Sequence, residues 1–122
     1  MIGRLENEGD SPRDVLRAIL GSFIPVDDES RENMLMFVAL HTAALVDPSL
    51  ARAETREVPE ALHRVVRKRL ADARIRRGVD PDLEAAMLVS VVPSLSQSVL
   101  DGSQTPEQAR RILDYAIDRA LA

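Results

Sequence analysis

Two histidines could bring chemistry to the interior of this 122-residue chain. His41 lies one helical turn after Phe37 in an apolar segment, so it could exchange a hydrogen bond with a ligand held between helices. A core histidine paired with a backbone carbonyl or a water is the more frequent case. His63 precedes a basic segment and either lines the same cavity or is exposed. The two histidines lie on different predicted helices, so we predict no metal site.

Methionines accompany these histidines. Met34, Met36 and Met87 have flexible side chains that suit an adaptable pocket as well as ordinary core filling, and core filling is the more frequent case. Aromatic residues make up only 2% of the sequence, so a ligand would meet aliphatic side chains, and a large planar cation is disfavoured. The candidate pocket residues are Met34, Phe37, His41, His63, Met87, Val91 and Ser94.

A basic segment runs over residues 64–77 and holds seven Arg or Lys. It could bind nucleic acid, but Asp72 interrupts it, apolar residues at helical spacing give it a buried face, and no aromatic residue is interleaved. Cations are also favoured near a helix C-terminus. We therefore predict a solvated face. The formal net charge of −4 likewise indicates that this chain does not hold nucleic acid by itself.

Catalytic patterns are missing from the sequence. It contains no Gly-rich phosphate loop, no Gly-x-Ser-x-Gly, no cysteine nucleophile and no His-Glu-x-x-His. Ser94, Ser96 and Ser98 have no neighbouring base in sequence. We predict that the chain is not an enzyme and uses no cofactor.

The sequence contains few signals that indicate where the protein is located. The absence of cysteine excludes disulfides and fits a reducing cytoplasm, where we place the protein. No apolar signal segment opens the sequence. The longest apolar stretch, residues 85–92, is shorter than the roughly 20 residues that span a bilayer, so we predict no contact with a membrane.

The elements that position these residues are predicted to be five helices. The sequence is 45% hydrophobic but poor in rings, a composition that suits helix-on-helix packing, and no segment alternates like a strand. Four prolines follow a residue that caps helices, in Ser11-Pro12, Asp47-Pro48, Asp80-Pro81 and Thr105-Pro106. The predicted helices span about 12–24, 28–46, 48–77, 81–100 and 106–122. The fold class is therefore all-α, a helical bundle.

Prolines and apolar faces add detail to three of these helices. Pro59 either kinks or splits the third helix, and Pro93 bends the fourth. The middle of the second helix, residues 34–40, is apolar on every side, so we expect other helices to surround it.

The fourth and fifth helices have more apolar surface than a small bundle needs. The fourth is apolar around most of its circumference, and the fifth has two adjoining apolar rows, of which one is expected to face a second copy. Small serines would let another helix approach closely, giving a two-fold dimer through a four-helix bundle. The alternative is a monomer with a well-buried fifth helix. The candidate interface residues are Val89, Val92, Ser96, Val99, Ala109, Ile112 and Ala116.

The segments that begin, end and join the predicted helices follow one order and spacing over nearly the whole chain. They are Phe23-Ile24-Pro25, Asp28-Glu29-Ser30-Arg31, Leu45-Val46-Asp47-Pro48, Arg76-Arg77-Gly78-Val79, Asp80-Pro81-Asp82-Leu83-Glu84-Ala85-Ala86, Leu100-Asp101-Gly102 and Thr105-Pro106-Glu107-Gln108-Ala109. In this order the sequence resembles the C-terminal regulatory domain of TetR-family (tetracycline-repressor-like) transcription regulators. One departure is Pro93-Ser94, where relatives often carry Asp-Gly.

The resemblance implies a fold and a function. The five helices would be the family's fifth to ninth, with the last two forming the homodimer interface. The central helices would enclose a pocket for a small molecule, here an unidentified apolar effector, whose binding moves the DNA-reading heads apart. The family's N-terminal helix-turn-helix is not represented in residues 1–122, and residues 1–7 would correspond to the end of the linking helix.

Two interpretations of the function follow. In the first, residues 1–122 are a single ligand-sensing and homodimerisation domain of a repressor, which meets DNA only through a missing N-terminal domain. In the second, the chain is a headless interaction or adaptor protein that pairs with a full-length regulator and inactivates it.

Overall fold

The chain folds into helices that follow the predicted order. The structure is a computed structural model that describes residues 11–50, 53–73 and 75–121, without the side chains of residues 53–58. Its described residues form an all-α bundle, which confirms the predicted fold class. The helices are α1 (Pro12–Gly21), α2 (Asp28–Val46), α3 (Ala53–Asp72), α4 (Pro81–Leu100) and α5 (Pro106–Ala120), with a 3-10 turn (Pro48–Leu50) between α2 and α3.

The helix boundaries agree with the prediction in α2 and α4 and differ in α1 and α3. α1 ends at Gly21, three residues early, and the chain continues in tight turns in which Ile24 N donates to the Gly21 carbonyl at 3.1 Å. The predicted third helix starts as the 3-10 turn and ends at Asp72. Pro59 lies inside α3 and does not split it.

Side-chain caps explain where the helices begin. Ser11, Asp80 and Thr105 each accept a backbone N–H from the first turn of the helix that follows, as predicted. Asp27 caps α2 through a reciprocal capping box with its third helical residue. Asp47 was predicted to open a long helix, but its carboxylate accepts hydrogen bonds from the 3-10 turn.

One hydrophobic core joins α1, α4, α5 and the second half of α3. Each helix contributes side chains that are at most 1% exposed, and these pack into one cluster. They include Leu16 and Leu20 of α1, Val66 and Leu70 of α3, Leu88 of α4, and Leu113 and Ile117 of α5. Two ion pairs, Arg13–Asp118 and Arg17–Asp114, tie α1 to α5 at the surface.

α4 is the central helix of this core. Its 20 residues and its mean hydropathy of 1.4 would also be sufficient for a membrane-spanning helix. Its Ala85, Leu88, Val92, Leu95 and Val99 are buried against α1, α3 and α5. One such helix is weak evidence, and it does not indicate a membrane protein.

α2 lies apart from the core, and the expectation that other helices surround it is wrong. None of its described residues is buried, and Leu35, Met36 and Leu40 are 46%, 63% and 39% exposed. The helix packs on α4 and on the 3-10 turn. Near its start, the Arg31 guanidinium donates to the Leu100 carbonyl at 2.8 Å. The sequence pattern shows how far apolar residues extend around a helix, but not which of them the rest of the chain covers.

Candidate functional site

A partly open cleft of about 420 Å³ lies between α2 and the core helices. Its walls are the chain that follows α1 (residues 22–25), one side of α2, Pro59 and Leu62 of α3, and the middle of α4. This volume is within the range of small-molecule sites, about 300–1,000 Å³. The cleft exists because α2 stands off the core and leaves the two helical surfaces only partly in contact.

The floor of the cleft is apolar. It is formed by Ile24, Pro25 and Val92, all buried, together with buried Ser96. The Ser96 hydroxyl donates to the Phe23 carbonyl at 2.7 Å, so its hydrogen is already engaged. The floor therefore offers an occupant aliphatic contact and no free donor among the described residues.

The rim of the cleft carries the polar groups. Asn33, His41 and Thr42 of α2 and Gln97 of α4 line it and are exposed. The His41 ring stacks parallel to the ring of Phe37, with the centroids 6.3 Å apart and the planes 5° apart. His41 is thus a rim residue, and the alternative of a core histidine does not describe it.

The structure brings three of the seven predicted pocket residues to this cleft, namely Met34, Phe37 and His41. His63 lines an adjoining groove of about 340 Å³ between α3 and α4, together with Glu60, and this groove shares Pro59 and Val89 with the cleft.

The other three predicted pocket residues, all on α4, lie elsewhere. Met87 and Ser94 are exposed, and Val91 is half-buried against the core. α4 lines the cleft instead through positions spaced by three or four residues, which sequence reasoning missed: Val89, Val92, Pro93, Ser96 and Gln97. The helical spacing of these residues is visible in the sequence. It shows that they share one face of α4, but not that this face lines the cleft.

Most of the predicted interface residues turn out to face inward. Val92, Ser96, Val99 and Ala109 are buried in the chain's own core. Val89 and Ala116 pack half-buried against it, which leaves Ile112 as the exposed member of the seven, at 40%. The role of these seven residues in an interface stays a prediction, and the structure shows that the chain's own core already buries four of them.

The outward rows of α4 and α5 carry other large residues. Leu83 and Met87 of α4 are 66% and 62% exposed, and Tyr115 of α5 is 66% exposed. Ile112 and Tyr115 border an open groove of about 560 Å³ that continues over Arg111 to the α4–α5 loop. We call Leu83, Met87, Ile112 and Tyr115 the outer patch.

The basic segment lies along α3 and the turn after it. Arg64, Arg67 and Lys68 are exposed while Val66 and Leu70 beneath them are buried, as expected of a solvated face. The Arg67 guanidinium pairs with a carboxylate at the start of α4. Among the described residues, no group of three or more His, Asp or Glu is placed to hold a metal ion.

Comparison with known families identifies this arrangement. Residues 12–122 match the family described as BetI-type transcriptional repressor, C-terminal. The chain belongs to the TetR family. It is the C-terminal domain of that family, as the sequence resemblance indicated, and TetR-family proteins are transcription regulators and generally not enzymes.

A solved structure supports the assignment of the TetR fold. The chain is similar to a protein from Rhodococcus sp. that is assigned to the TetR family of transcriptional regulators, with 28% identity and a TM-score of 0.83. The similarity covers 97% of this chain and 64% of that one, so the chain spans less than two thirds of its relative's length. No curated protein matches the sequence significantly. TetR C-terminal domains typically dimerise and bind small-molecule effectors.

Proposed function

We propose that residues 1–122 form the ligand-sensing and homodimerising domain of a TetR-type repressor. The observation that carries the proposal is the cleft beneath α2, which combines a buried apolar floor with a polar rim in a domain of this family. In this proposal, operator binding needs a helix-turn-helix that these residues do not supply. The net charge of −4 supports this division, because DNA-binding surfaces are basic.

The sensing step would be a shift in population between two positions of α2. A ligand in the cleft contacts α2 on one side and the core on the other, so it binds best when α2 is held against the core. α2 can change position at low cost, since none of its described side chains is buried. The ligand would thus stabilise one arrangement of a helix that is loosely attached without it.

Ligand binding in the cleft can be tested with N-phenyl-1-naphthylamine, an uncharged apolar dye that fluoresces when it leaves water. We expect the chain to bind the dye and Val38→Trp to abolish binding, because Val38 is half-buried in the cleft wall. The matched control is Ala39→Trp, which adds the same ring to the next residue of α2, outside the cleft. Equal dye binding by the two variants would refute the proposed site.

Dimerisation is proposed to use the outer patch. Exposed apolar residues on two adjacent helices favour a covered surface, and the two-fold axis would place each patch against its copy. Light scattering coupled to size-exclusion chromatography should give twice the chain mass of 13.5 kDa. Ile112→Glu should produce monomers, whereas Arg110→Glu, an exposed site turned away from Ile112 on α5, should not. A wild-type chain that elutes as a monomer at micromolar concentration would exclude homodimerisation.

A further inference from the structure

The cleft beneath α2 has no charged residue among its described lining side chains. Charged residues make up 30% of the sequence, yet the described lining contains no Asp, Glu, Lys or Arg, and His41 is its one titratable side chain. A charged ligand that enters the cleft would therefore lose water without gaining a counter-ion from these residues. Such a loss is costly in a partly desolvated site.

The polarity of the cleft changes from its floor to its rim. At the floor, Ile24, Pro25 and Val92 are apolar and the Ser96 hydrogen is engaged by the Phe23 carbonyl. A polar group placed there would find no free donor among the described floor residues, so the floor favours the apolar end of a ligand.

The rim offers hydrogen bonds from groups without fixed charge. Asn33 and His41 lie in one row of α2, eight residues apart, and Thr42 stands beside His41. Gln97 faces them from α4. Amide, hydroxyl and imidazole groups supply both donors and acceptors, which suits an uncharged hydroxyl, amide or ester.

We infer that the ligand is an uncharged amphiphile that enters with its apolar end at the Ile24–Val92 floor and leaves one hydrogen-bonding group at the Asn33–His41–Thr42 rim. This inference rests on the proposed function, because it specifies the ligand class of the proposed sensing site. It goes further in stating the ligand's charge and its orientation.

Displacement of the bound dye by three probes of equal chain length tests the ligand class. Decan-1-ol is uncharged, decanoate is an anion and decyltrimethylammonium is a cation. We expect decan-1-ol to displace half of the dye at a concentration about tenfold lower than either ion, because the described lining residues of the cleft offer the ions no counter-charge. Displacement by either ion at an equal or lower concentration would overturn the inference.

The orientation is tested by adding a charge at the rim. Thr42→Lys should improve displacement by decanoate about tenfold and leave decyltrimethylammonium weak, because the new ammonium lies where the head group is placed. Ala39→Lys, which puts the same charge on α2 outside the cleft, should leave the order of the three probes unchanged. Equal effects of the two lysines would overturn the orientation.

Failure of this inference is distinguishable from failure of the proposed site. If the dye does not bind, or if Val38→Trp and Ala39→Trp bind it equally, the cleft is not a site and the inference falls with it. If the dye binds and Val38→Trp removes it while an ion competes best, the site stands and the ligand class is wrong.

Discussion

α2 and the core helices differ in how they are held, although both are rich in apolar residues. α1, α4, α5 and the end of α3 bury side chains completely, among them Leu16, Leu88 and Leu113. α2 is 19 residues long and none of its described residues is buried. We therefore expect the core to account for most of the stability of the domain, and the helix that closes the cleft to contribute little to it. A sensing element is expected to come from the less stable part of a fold.

Besides its packing on the 3-10 turn, α2 is attached through a set of contacts that can be named among the described residues. Met34 and Val38 are half-buried over the cleft, Arg31 donates to the Leu100 carbonyl, and Asp27 caps the first turn. Most of the stability of a helix in a protein comes from its tertiary contacts, so these contacts decide how often α2 opens. Substitutions in the two regions should consequently affect different measurements.

The largest expected effect is on global unfolding. Leu113→Ala leaves a cavity in the core and should lower the free energy of unfolding by about 2–5 kcal/mol, measured by urea denaturation. Leu45→Ala, the same substitution at a 72% exposed site of α2, should change it by no more than about 0.5 kcal/mol. A similar loss in both variants would show that α2 unfolds as an integral part of the core.

The second largest effect is expected on the local opening of α2, measured by hydrogen exchange. Backbone amides of α2 should exchange with solvent faster than those of α4, because α4 opens mainly through global unfolding. Arg31→Ala removes the hydrogen bond to the Leu100 carbonyl and should accelerate exchange in α2 several-fold, since an exposed charged hydrogen bond stabilises by about 1 kcal/mol. Arg110→Ala serves as the control on α5. Uniform exchange in α2 and α4 would contradict the comparison.

Removal of a helix cap should also have different effects in the core and in α2. Thr105→Ala removes a capping box from α5, a core helix, and should lower the global free energy of unfolding by about 1 kcal/mol. Asp27→Ala removes the corresponding box from α2 and should leave the global value nearly unchanged while it speeds exchange in the first turn of α2. If Asp27→Ala lowered the global free energy of unfolding as much as Thr105→Ala, α2 would not open independently of the core.

The sequence predicted local features of this fold better than it predicted the exposure of each face. The caps at Ser11, Asp80 and Thr105 were correct because a cap depends on neighbouring residues alone. Asp47-Pro48 has the same local pattern but is followed by a 3-10 turn. A capping residue therefore marks where a helical segment begins, but it does not determine how long that segment is.

The candidate site shows the limit of one-dimensional patterns more clearly. The structure brings the predicted pocket residues Met34, Phe37 and His41 together at the cleft, because they share one side of a single helix. It does not bring Met87 and Ser94 to the cleft, because α4 is apolar around most of its circumference and nothing in its sequence says which row faces α2. Val92 and Val99 were assigned to an interface for the same reason, although they lie in the core. Tertiary contacts decide these assignments.

The smallest expected effect is on the pH dependence of stability at low pH. It compares Asp27, which caps the start of α2, with Asp101, which follows the end of α4. The pKa of Asp27 lies below its ordinary value of 3.8, chiefly because the Ser30 backbone N–H donates to its carboxylate. The pKa of Asp101 is lowered mainly by the Ser103 hydroxyl and further by the Ser103 backbone N–H. Both carboxylates are more acidic in the folded chain than in the unfolded one. They therefore stabilise the fold above pH 3.8, and this contribution is lost as the pH falls through their lowered values.

Nuclear magnetic resonance can follow the Ser30 and Ser103 amides during an acid titration, and both should report midpoints below 3.8. Asp27→Asn should abolish the acid-dependent change in the opening of α2 without affecting the Ser103 midpoint, because its carboxylate is local to α2. Asp101→Asn should remove the Ser103 titration and leave α2 unchanged.

If Asp27→Asn also shifted the Ser103 midpoint, the first turn of α2 would be coupled to the end of α4 at low pH. The Arg31 hydrogen bond to the Leu100 carbonyl is the contact through which such coupling would pass, so in an Arg31→Ala background Asp27→Asn should no longer shift the Ser103 midpoint.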